Sequence, residues 1–340
     1  MDPHMTTAFS SLNRRQFGLG LSGLVLSSWG AAAHAQERIV IAESQGFSWA
    51  VPYLVSSKNY WKNYGIDAST LQFTSGRLAF DAAVAGKAQF ATTTDSVVGL
   101  AGANGVPAVI VADFTRLSRG MVVAARKDRV RDPADLKGKR VATTLGSSGH
   151  YFLSRYLSLH GLGLKDVKVV NLRGPDAVTA LVKGEIDAFA WGFDSGQKAV
   201  ADGGGQIAIL SNDNLEKVFV SHYVLAASEA TVRANPRLVE SAVRSLLDAE
   251  RLYRTQPQEA LALVAERTKA TKEATQEGLN TISVGVQLDD RLLDDLVLNA
   301  QWAIEAGLAT EPKTDLRALF RQRIYTDALR TVAPDRVKLG

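Results

Sequence analysis

The chain of 340 residues contains no cysteine, so disulfide bonds, thiolate metal sites and cysteine nucleophiles are all excluded. Histidine is also scarce. His4 and His34 fall near the N-terminus, and the other three, His150, His160 and His222, are too dispersed to form a metal-binding motif. We therefore expect neither a bound metal nor a cofactor.

Runs of lysine or arginine are missing as well. The net charge is only +4, and the basic residues are scattered along the chain, which argues against nucleic acid as a partner. No Walker A loop, G-x-G-x-x-G fingerprint or nucleophile elbow occurs in the part of the chain that follows the N-terminal leader. These absences favour a binding protein over an enzyme.

The N-terminus has the features of an export signal. Met1–His4 precede a second methionine and resemble an expression scar. Arg14 and Arg15 then introduce a short apolar run, residues 18–33, that ends in an A-x-A site, so we expect a signal peptide over residues 1–35 with cleavage near Ala35. The arginine pair favours the twin-arginine export route, and the alternative for this segment is a membrane anchor.

After this leader, strand-length apolar runs alternate with helix-length segments, which predicts β–α–β units and an α/β fold with largely parallel sheets. The pattern occurs twice, so we expect two lobes of similar build. Strands are expected at 38–42, 67–73, 88–91, 108–112, 121–125, 139–143, 167–171, 187–190, 207–210 and 223–227, and helices at 49–64, 75–85, 94–104, 149–160, 175–183 and 195–201.

The remainder, 229–306, has helical spacing and is expected to pack back on the first lobe. This assigns 36–115 and 220–340 to lobe 1 and 116–219 to lobe 2. The chain would then cross between the lobes twice, near 113–119 and 211–222. Two crossing strands predict a hinge that can open and close.

Ligands of open α/β sheets bind beyond the carboxyl ends of the strands, so the loops that follow the strands are the candidate site. These loops are rich in hydroxyl, aromatic and charged residues. The candidates in lobe 1 are Ser44, Gln45, Trp49, Ser75, Arg77, Thr94 and Asp95, and those in lobe 2 are Ser147, Ser148, His150, Trp191, Phe193 and Asp194.

The strongest signal is the segment 146–151, where serines precede a predicted helix whose first N–H groups lack intrahelical partners. Such a terminus attracts an anion, although Ser147 would also serve as an ordinary N-cap. Arg77 lies at another helix start, where a cation opposes the helix dipole. Its position favours a ligand-pairing role, and a solvated surface arginine is the alternative.

The remaining candidates have structural alternatives too. Trp49, Trp191 and Phe193, together with Phe47, are either cleft walls or ordinary core residues. Asp95 and Asp194 would accept a ligand amine or a hydroxyl, or act as N-caps. For His222, at the second crossing, a satisfied structural histidine is favoured over a ligand contact.

Several segments, in this order, resemble the type II periplasmic binding proteins of the aliphatic sulfonate, taurine and nitrate transporters, within the superfamily that also contains the thiamine-pyrimidine precursor synthases. The resemblance covers about residues 38–306 and lies in YWKNYGI (60–66), SG (75–76), AAVAGKAQF (82–90), DLKGKRVA (135–142), GSSGH (146–150) and ALVKGEIDA (180–188).

The resemblance implies a two-lobe fold in which each lobe is a mixed, mostly parallel sheet flanked by helices. It also implies a monomeric periplasmic protein that binds a sulfonate, a taurine-like solute or a carboxylate and delivers it to a transporter permease with its ATPase. The alternatives are a ligand-sensing partner of a membrane receptor, or an enzyme on the same fold. Arg77, Thr94–Asp95 and Phe193–Asp194 depart from the family pattern and indicate a ligand with an acidic group and a second feature, such as an amine or an aromatic ring.

Overall fold

The computed structural model describes residues 37–340, and the predicted export signal lies outside them. This part of the chain forms two sheets. The strands are β1 Glu37–Ser44, β2 Ile66–Phe73, β3 Phe90–Thr94, β4 Ala108–Leu117, β5 Met121–Arg126, β6 Arg140–Thr143, β7 Lys168–Asn171, β8 Ala188–Gly192, β9 Ile207–Ile209, β10 Ser221–Ser228, β11 Ile282–Asp289 and β12 Val337–Lys338.

Helices flank both sheets. They are α1 Ala50–Lys58, α2 Gly76–Val84, α3 Asp95–Ala103, α4 Ser148–Leu159, α5 Gly174–Val182, α6 Phe193–Asp202, α7 Glu229–Ala234, α8 Pro236–Thr255, α9 Pro257–Thr268, α10 Lys272–Leu279, α11 Asp290–Glu305, α12 Leu316–Gln322 and α13 Asp327–Val332. None of the helices in residues 37–340 combines the length and the apolar character needed to cross a membrane.

The first sheet has seven strands in the order β12-β11-β4-β10-β3-β1-β2, and the second has five in the order β7-β6-β8-β5-β9. We call the parts built on them the first and the second lobe. In the first, β3 is buried along its whole length, as expected of a central strand with helices over both faces. The edge strand β2 is polar and mostly exposed or half-buried. The fold is therefore the two-lobe α/β architecture that the sequence predicts.

The strand directions differ from the prediction in one respect. The sheets are mixed in equal measure, because five of the ten neighbouring strand pairs are parallel and five are antiparallel. "Mostly parallel" is therefore wrong. The reason is that β5 and β10 enter their sheets from the other lobe rather than through a β–α–β crossover, and each runs antiparallel to both of its neighbours.

The C-terminal part differs in a second respect. The helices α7 to α11 occur where the spacing predicts them, but β11 lies between α10 and α11 and pairs with β4. The single helix expected over 49–64 is also divided. Asn59 has a φ of 54°, a left-handed conformation that ends α1, and a short 3-10 segment follows at Tyr60–Tyr64.

The chain passes between the lobes twice. Residues 118–120 connect β4 to β5, and residues 210–220 connect β9 to β10. Strands β4 and β10 are antiparallel neighbours, so both crossings leave from the same end of the first sheet, where Leu117 is paired with Ser221. This arrangement brings the helix starts of the two lobes to face each other.

Candidate functional site

A cavity lies between the lobes and receives side chains from both. Its free space is about 650 Å³, including the part that is open to solvent. The lining residues are Gln45, Gly46, Phe47, Ser48, Trp49, Thr74, Ser75, Gly76, Arg77, Gly120, Met121, Ser147, Ser148, Trp191, Gly192, Phe193, Asp194, Tyr223, Gly278 and Thr281. Nine of the thirteen candidates from the sequence are therefore together in one place.

The first lobe contributes the N-terminus of α2. The Ser75 hydroxyl caps this helix by accepting a hydrogen bond from the Leu78 N–H at 3.4 Å. Gly76 allows a close approach, because a Cβ there would lie 3.1 Å from Thr93 Cα. This packing holds the first turn of α2, whose first N–H groups have no intrahelical partners, against β3. Ser75, Gly76 and Arg77 of this turn line the cavity.

Arg77 follows in the same turn and is only 35% exposed in its side chain. Its Nε pairs with Asp81 one turn later, at 2.9 Å. Its guanidinium group also reaches the second lobe, since Nη1 would lie 2.7 Å from a Cβ placed on Gly146. Arg77 therefore reaches from the first lobe to the second and does not extend into solvent as a free surface side chain.

The second lobe contributes the N-terminus of α4. The Ser147 hydroxyl donates to the Thr144 carbonyl at 2.7 Å and accepts from the Gly149 N–H at 3.2 Å. Ser147 is thus an N-cap with both roles of its hydroxyl in use, whereas Ser148 begins the helix and lines the cavity. Together with Arg77, the starts of α2 and α4 give this end of the cavity a positive potential.

Asp194 stands in the first turn of α6. Its Oδ1 accepts a hydrogen bond from the Ser195 N–H at 2.8 Å, while Oδ2 faces Gly46 of the first lobe, 3.4 Å from where a Cβ would lie. Burial raises the pKa of this carboxyl above its usual range. The second lobe thereby places a negative charge in a cavity whose other charged lining residue is Arg77.

Aromatic side chains form the walls. Trp49 is buried and packs edge-on against Tyr223, with ring centroids 4.6 Å apart, and its Nε1 donates to the Gln45 carbonyl at 3.1 Å. Trp191 and Phe193 are half-buried and line the opposite side. The site can therefore hold a small organic molecule with polar groups at its ends and apolar surface between them.

Four predicted site residues do not line this cavity. Ser44 joins β1 to β3, because its N–H and hydroxyl both bond to Thr92 at 2.8 Å. Thr94 is buried and its hydroxyl is 3.1 Å from that of Ser96. His150 turns inward, and its Nδ1 accepts from the Gly146 N–H at 3.3 Å, while burial lowers its pKa to about 4.

Asp95 is the fourth, and it belongs to a buried network centred on His222. Its Oδ1 accepts from the His222 N–H at 3.1 Å and its Oδ2 from Asn299 Nδ2 at 2.8 Å. The imidazole itself lies between Asp113, 2.8 Å from Nδ1, and Asp295, 2.9 Å from Nε2. His222 is thus a fully buried histidine with two carboxylate partners, outside the lining of the cavity.

Five lining residues lie outside the predicted loops. Gly120 and Met121 follow the first crossing, and the other three are distant in sequence from those loops. Tyr223 is carried in by the return strand β10, and Gly278 and Thr281 by the end of α10 and the turn that follows it. Gly278 touches Phe47, since a Cβ there would lie 2.3 Å from Phe47 Cδ2. Gly120, Met121 and Tyr223 lie beside the predicted crossings, and this position was the available signal for them. Among residues 37–340 no group of three or more His, Asp or Glu is arranged to hold a metal ion.

Comparison with known proteins agrees with this geometry. Residues 47–260 match the family model described as NMT1/THI5 like. The chain belongs to this family. A candidate binding protein of Brucella abortus (strain 2308) is 25% identical over 265 residues, which cover 77% of this chain and 81% of that protein. The taurine-binding periplasmic protein of Escherichia coli (strain K12) is 24% identical over 59% of this chain and 62% of its own length.

Solved structures share the fold. The periplasmic aliphatic sulphonate binding protein SsuA from Escherichia coli superposes with a TM-score of 0.68 at 22% identity, covering 86% of this chain and 98% of that one. The desulfurization enzyme DSZB also superposes, with a TM-score of 0.65 at 17% identity over 87% and 99%. The fold thus occurs in binding proteins and in an enzyme, so the function must be argued from the site.

Proposed function

We propose that this chain is the extracytoplasmic solute-binding protein of an ATP-driven importer, and that it captures a small anionic organic solute between its lobes. The observation that carries the proposal is the meeting of the α2 and α4 N-termini with Arg77 at one end of a cavity lined by both lobes. Helix N-termini and a guanidinium group together suit a sulfonate or a carboxylate. The ligands named for the taurine- and sulphonate-binding relatives support the same class.

We further propose that residues 1–35 direct export by the twin-arginine route and that cleavage near Ala35 releases a periplasmic monomer. The periplasmic location of the relatives supports this assignment. The partners would be a membrane permease and its ATPase. In this proposal, residues 36–115 and 220–340 form the first lobe, and residues 116–219 form the second. The strands that each sheet contains support this assignment.

An enzyme on the same fold is the weaker candidate. The chain has no cysteine, and the cavity lining contains no histidine. The only charged side chains in the lining are Arg77 and Asp194, which come from different lobes. A nucleophile with an adjacent base, the arrangement needed for covalent catalysis, is missing from this lining.

Thermal unfolding of the purified protein with alkylsulfonates, small carboxylates, taurine-like solutes and nitrate tests the proposal. A ligand that binds the folded state alone at 100 times its Kd should stabilise it by about 2.7 kcal/mol. At least one anionic compound should raise the Tm, and no compound should be turned over. A flat response across the whole set, or turnover of a ligand, would contradict the assignment.

Arg77→Gln should weaken the binding of that anion by roughly 10- to 100-fold, because a charge-assisted hydrogen bond is lost. Arg38→Gln is the matched control. The Arg38 side chain is 90% exposed and pairs with Asp67 on the outer strands, so its loss should leave the affinity unchanged. Isothermal titration calorimetry measures both affinities. Equal affinities of wild type and Arg77→Gln would remove Arg77 from the site.

A further inference from the structure

The cavity contains one charge of each sign. Of its twenty lining residues, Arg77 is the only cation and Asp194 the only anion. They come from different lobes and from the starts of different helices, α2 and α6. A ligand with a single negative charge would satisfy the end formed by Arg77 and would leave the carboxylate of Asp194 facing it without a partner.

The surroundings of Asp194 offer it no counter-ion. Within residues 37–340, no lysine, arginine or histidine nitrogen lies within 4.0 Å of its carboxylate oxygens. Oδ1 bonds to the Ser195 N–H, and Oδ2 faces the cavity beside Gly46. Burying a carboxylate without a neighbouring cation costs free energy, and the raised pKa of Asp194 reflects that cost.

The backbone around this carboxylate is kept clear of side chains. A Cβ on Gly192 would lie 2.8 Å from Asp194 Oδ1, and Gly46 has a φ of 128°, which only glycine adopts readily. The aromatic rings of Trp49 and Tyr223 line the same cavity. An acceptor oxygen, clear space and aromatic neighbours together suit an ammonium group.

We propose that Asp194 selects zwitterionic solutes, in which an ammonium group accompanies the sulfonate or carboxylate held by the α2 and α4 N-termini. The inference rests on the proposed function and specifies its ligand class. Asp194 supplies the second charge contact, so that closing the lobes pairs both ends of the solute. The ligand's ammonium thereby replaces the cation that the protein lacks at this position.

Matched ligand pairs that differ only in the amine test the proposal by calorimetry. The pairs are 2-aminoethanesulfonate with ethanesulfonate, and 3-aminopropanoate with propanoate. In the wild type, at least one amino compound should bind about 10- to 100-fold more tightly than its partner, because the ion pair adds a charge-assisted bond. Asp194→Asn should abolish this preference and leave the binding of the amine-free compounds unchanged or stronger.

Asp202→Asn is the control on the same helix. Asp202 pairs with Lys198 at the far end of α6, outside the cavity lining, so its loss should keep the preference of the wild type. Circular dichroism and Tm establish that both variants fold. Asparagine retains an oxygen that can accept from the Ser195 N–H, which favours a folded Asp194→Asn protein.

The other outcomes separate this inference from the proposed function. If amine-free anions bind as tightly as their amino partners, the zwitterion proposal is overturned and the anion-binding function stands. If Asp194→Asn weakens both members of a pair equally, the carboxyl serves the anion or the fold, and the proposal is again overturned. If no compound of either kind binds, both proposals fail.

Discussion

At the residue scale, Gly146 determines how closely Arg77 approaches the second lobe. Its φ of 70° lies in the left-handed region, and a Cβ would lie 2.7 Å from Arg77 Nη1 and 3.0 Å from Leu100 Cδ2. Any side chain at this position must displace the guanidinium group. Gly161 has the same φ of 70°, but a Cβ there would meet open space.

This pair of glycines gives a clean comparison. Gly146→Ala and Gly161→Ala should each lower the free energy of unfolding by about 1 kcal/mol through the left-handed conformation. Only Gly146→Ala should also weaken anion binding, by roughly tenfold, because it moves Arg77. Urea denaturation and calorimetry measure the two effects. Equal ligand affinities in the two variants would show that the approach of Arg77 to Gly146 does not matter.

At the element scale, the central strands of the first sheet are tied to α3 and α11 by buried charges. His222 on β10 contacts Asp113 on β4 and Asp295 on α11, and Asp295 also pairs with Arg291 at 2.6 Å. Burial opposes a charge on His222, but its two carboxylate partners outweigh burial and raise the pKa to about 10. The network therefore stabilises a protonated histidine near the start of β10.

This raised pKa predicts a pH dependence of stability. Between about pH 6.5 and 10 the folded protein keeps the proton that the unfolded chain has released, so the free energy of unfolding should fall as pH rises through that window. His222→Asn should flatten the slope and cost about 3–5 kcal/mol, since the carboxylates lose their partner. Urea denaturation at a series of pH values measures both.

His160→Asn is the control for this effect. Burial lowers the pKa of His160, so this residue affects the pH dependence of stability only below pH 6.5. The slope of the free energy of unfolding above that pH should therefore be the same in His160→Asn as in the wild type. A slope that persists in His222→Asn would mean that other groups cause it.

At the scale of the whole molecule, the two crossings at 118–120 and 210–220 leave the lobes connected through only short segments. The cavity is lined from both sides, so a ligand contacts both lobes when they are closed. A ligand that binds one arrangement more tightly shifts the population toward it. Because the lobes are joined only through these two crossings, the distance between them should change when a ligand binds. That distance therefore measures binding directly.

The absence of cysteine allows that distance to be measured with introduced thiols. Val84 of the first lobe and Leu145 of the second are exposed at 41% and 42%. Spin labels at Val84→Cys and Leu145→Cys should move closer when a stabilising anion is added. Labels at Leu71→Cys and Val84→Cys, both in the first lobe, should keep their separation. An unchanged interlobe distance under saturating ligand would contradict closure.

Much of the site follows from local sequence. The serines before α2 and α4 indicate helix starts, and the alternation of strands and helices predicts which loops share an edge of a sheet. Ser75, Ser148 and Arg77 were found in this way. The same reasoning also selected Ser44 and Asp95, because position along the chain does not reveal which side chains turn into the core.

The sequence alone determined the order of elements as far as α10, the two-block organisation and the hydroxyl-rich loops, because propensities, caps and periodicity act over a few residues. Tertiary structure decided what depends on distant segments. It placed β10 antiparallel between β3 and β4, inserted β11, and brought Tyr223 and Thr281 into the cavity. It also separated Asp95, satisfied by His222 and Asn299, from Asp194, which faces the cavity without a cation among residues 37–340. Whether a carboxylate has a partner depends on its neighbours in space, and those neighbours come from parts of the chain that no local pattern connects.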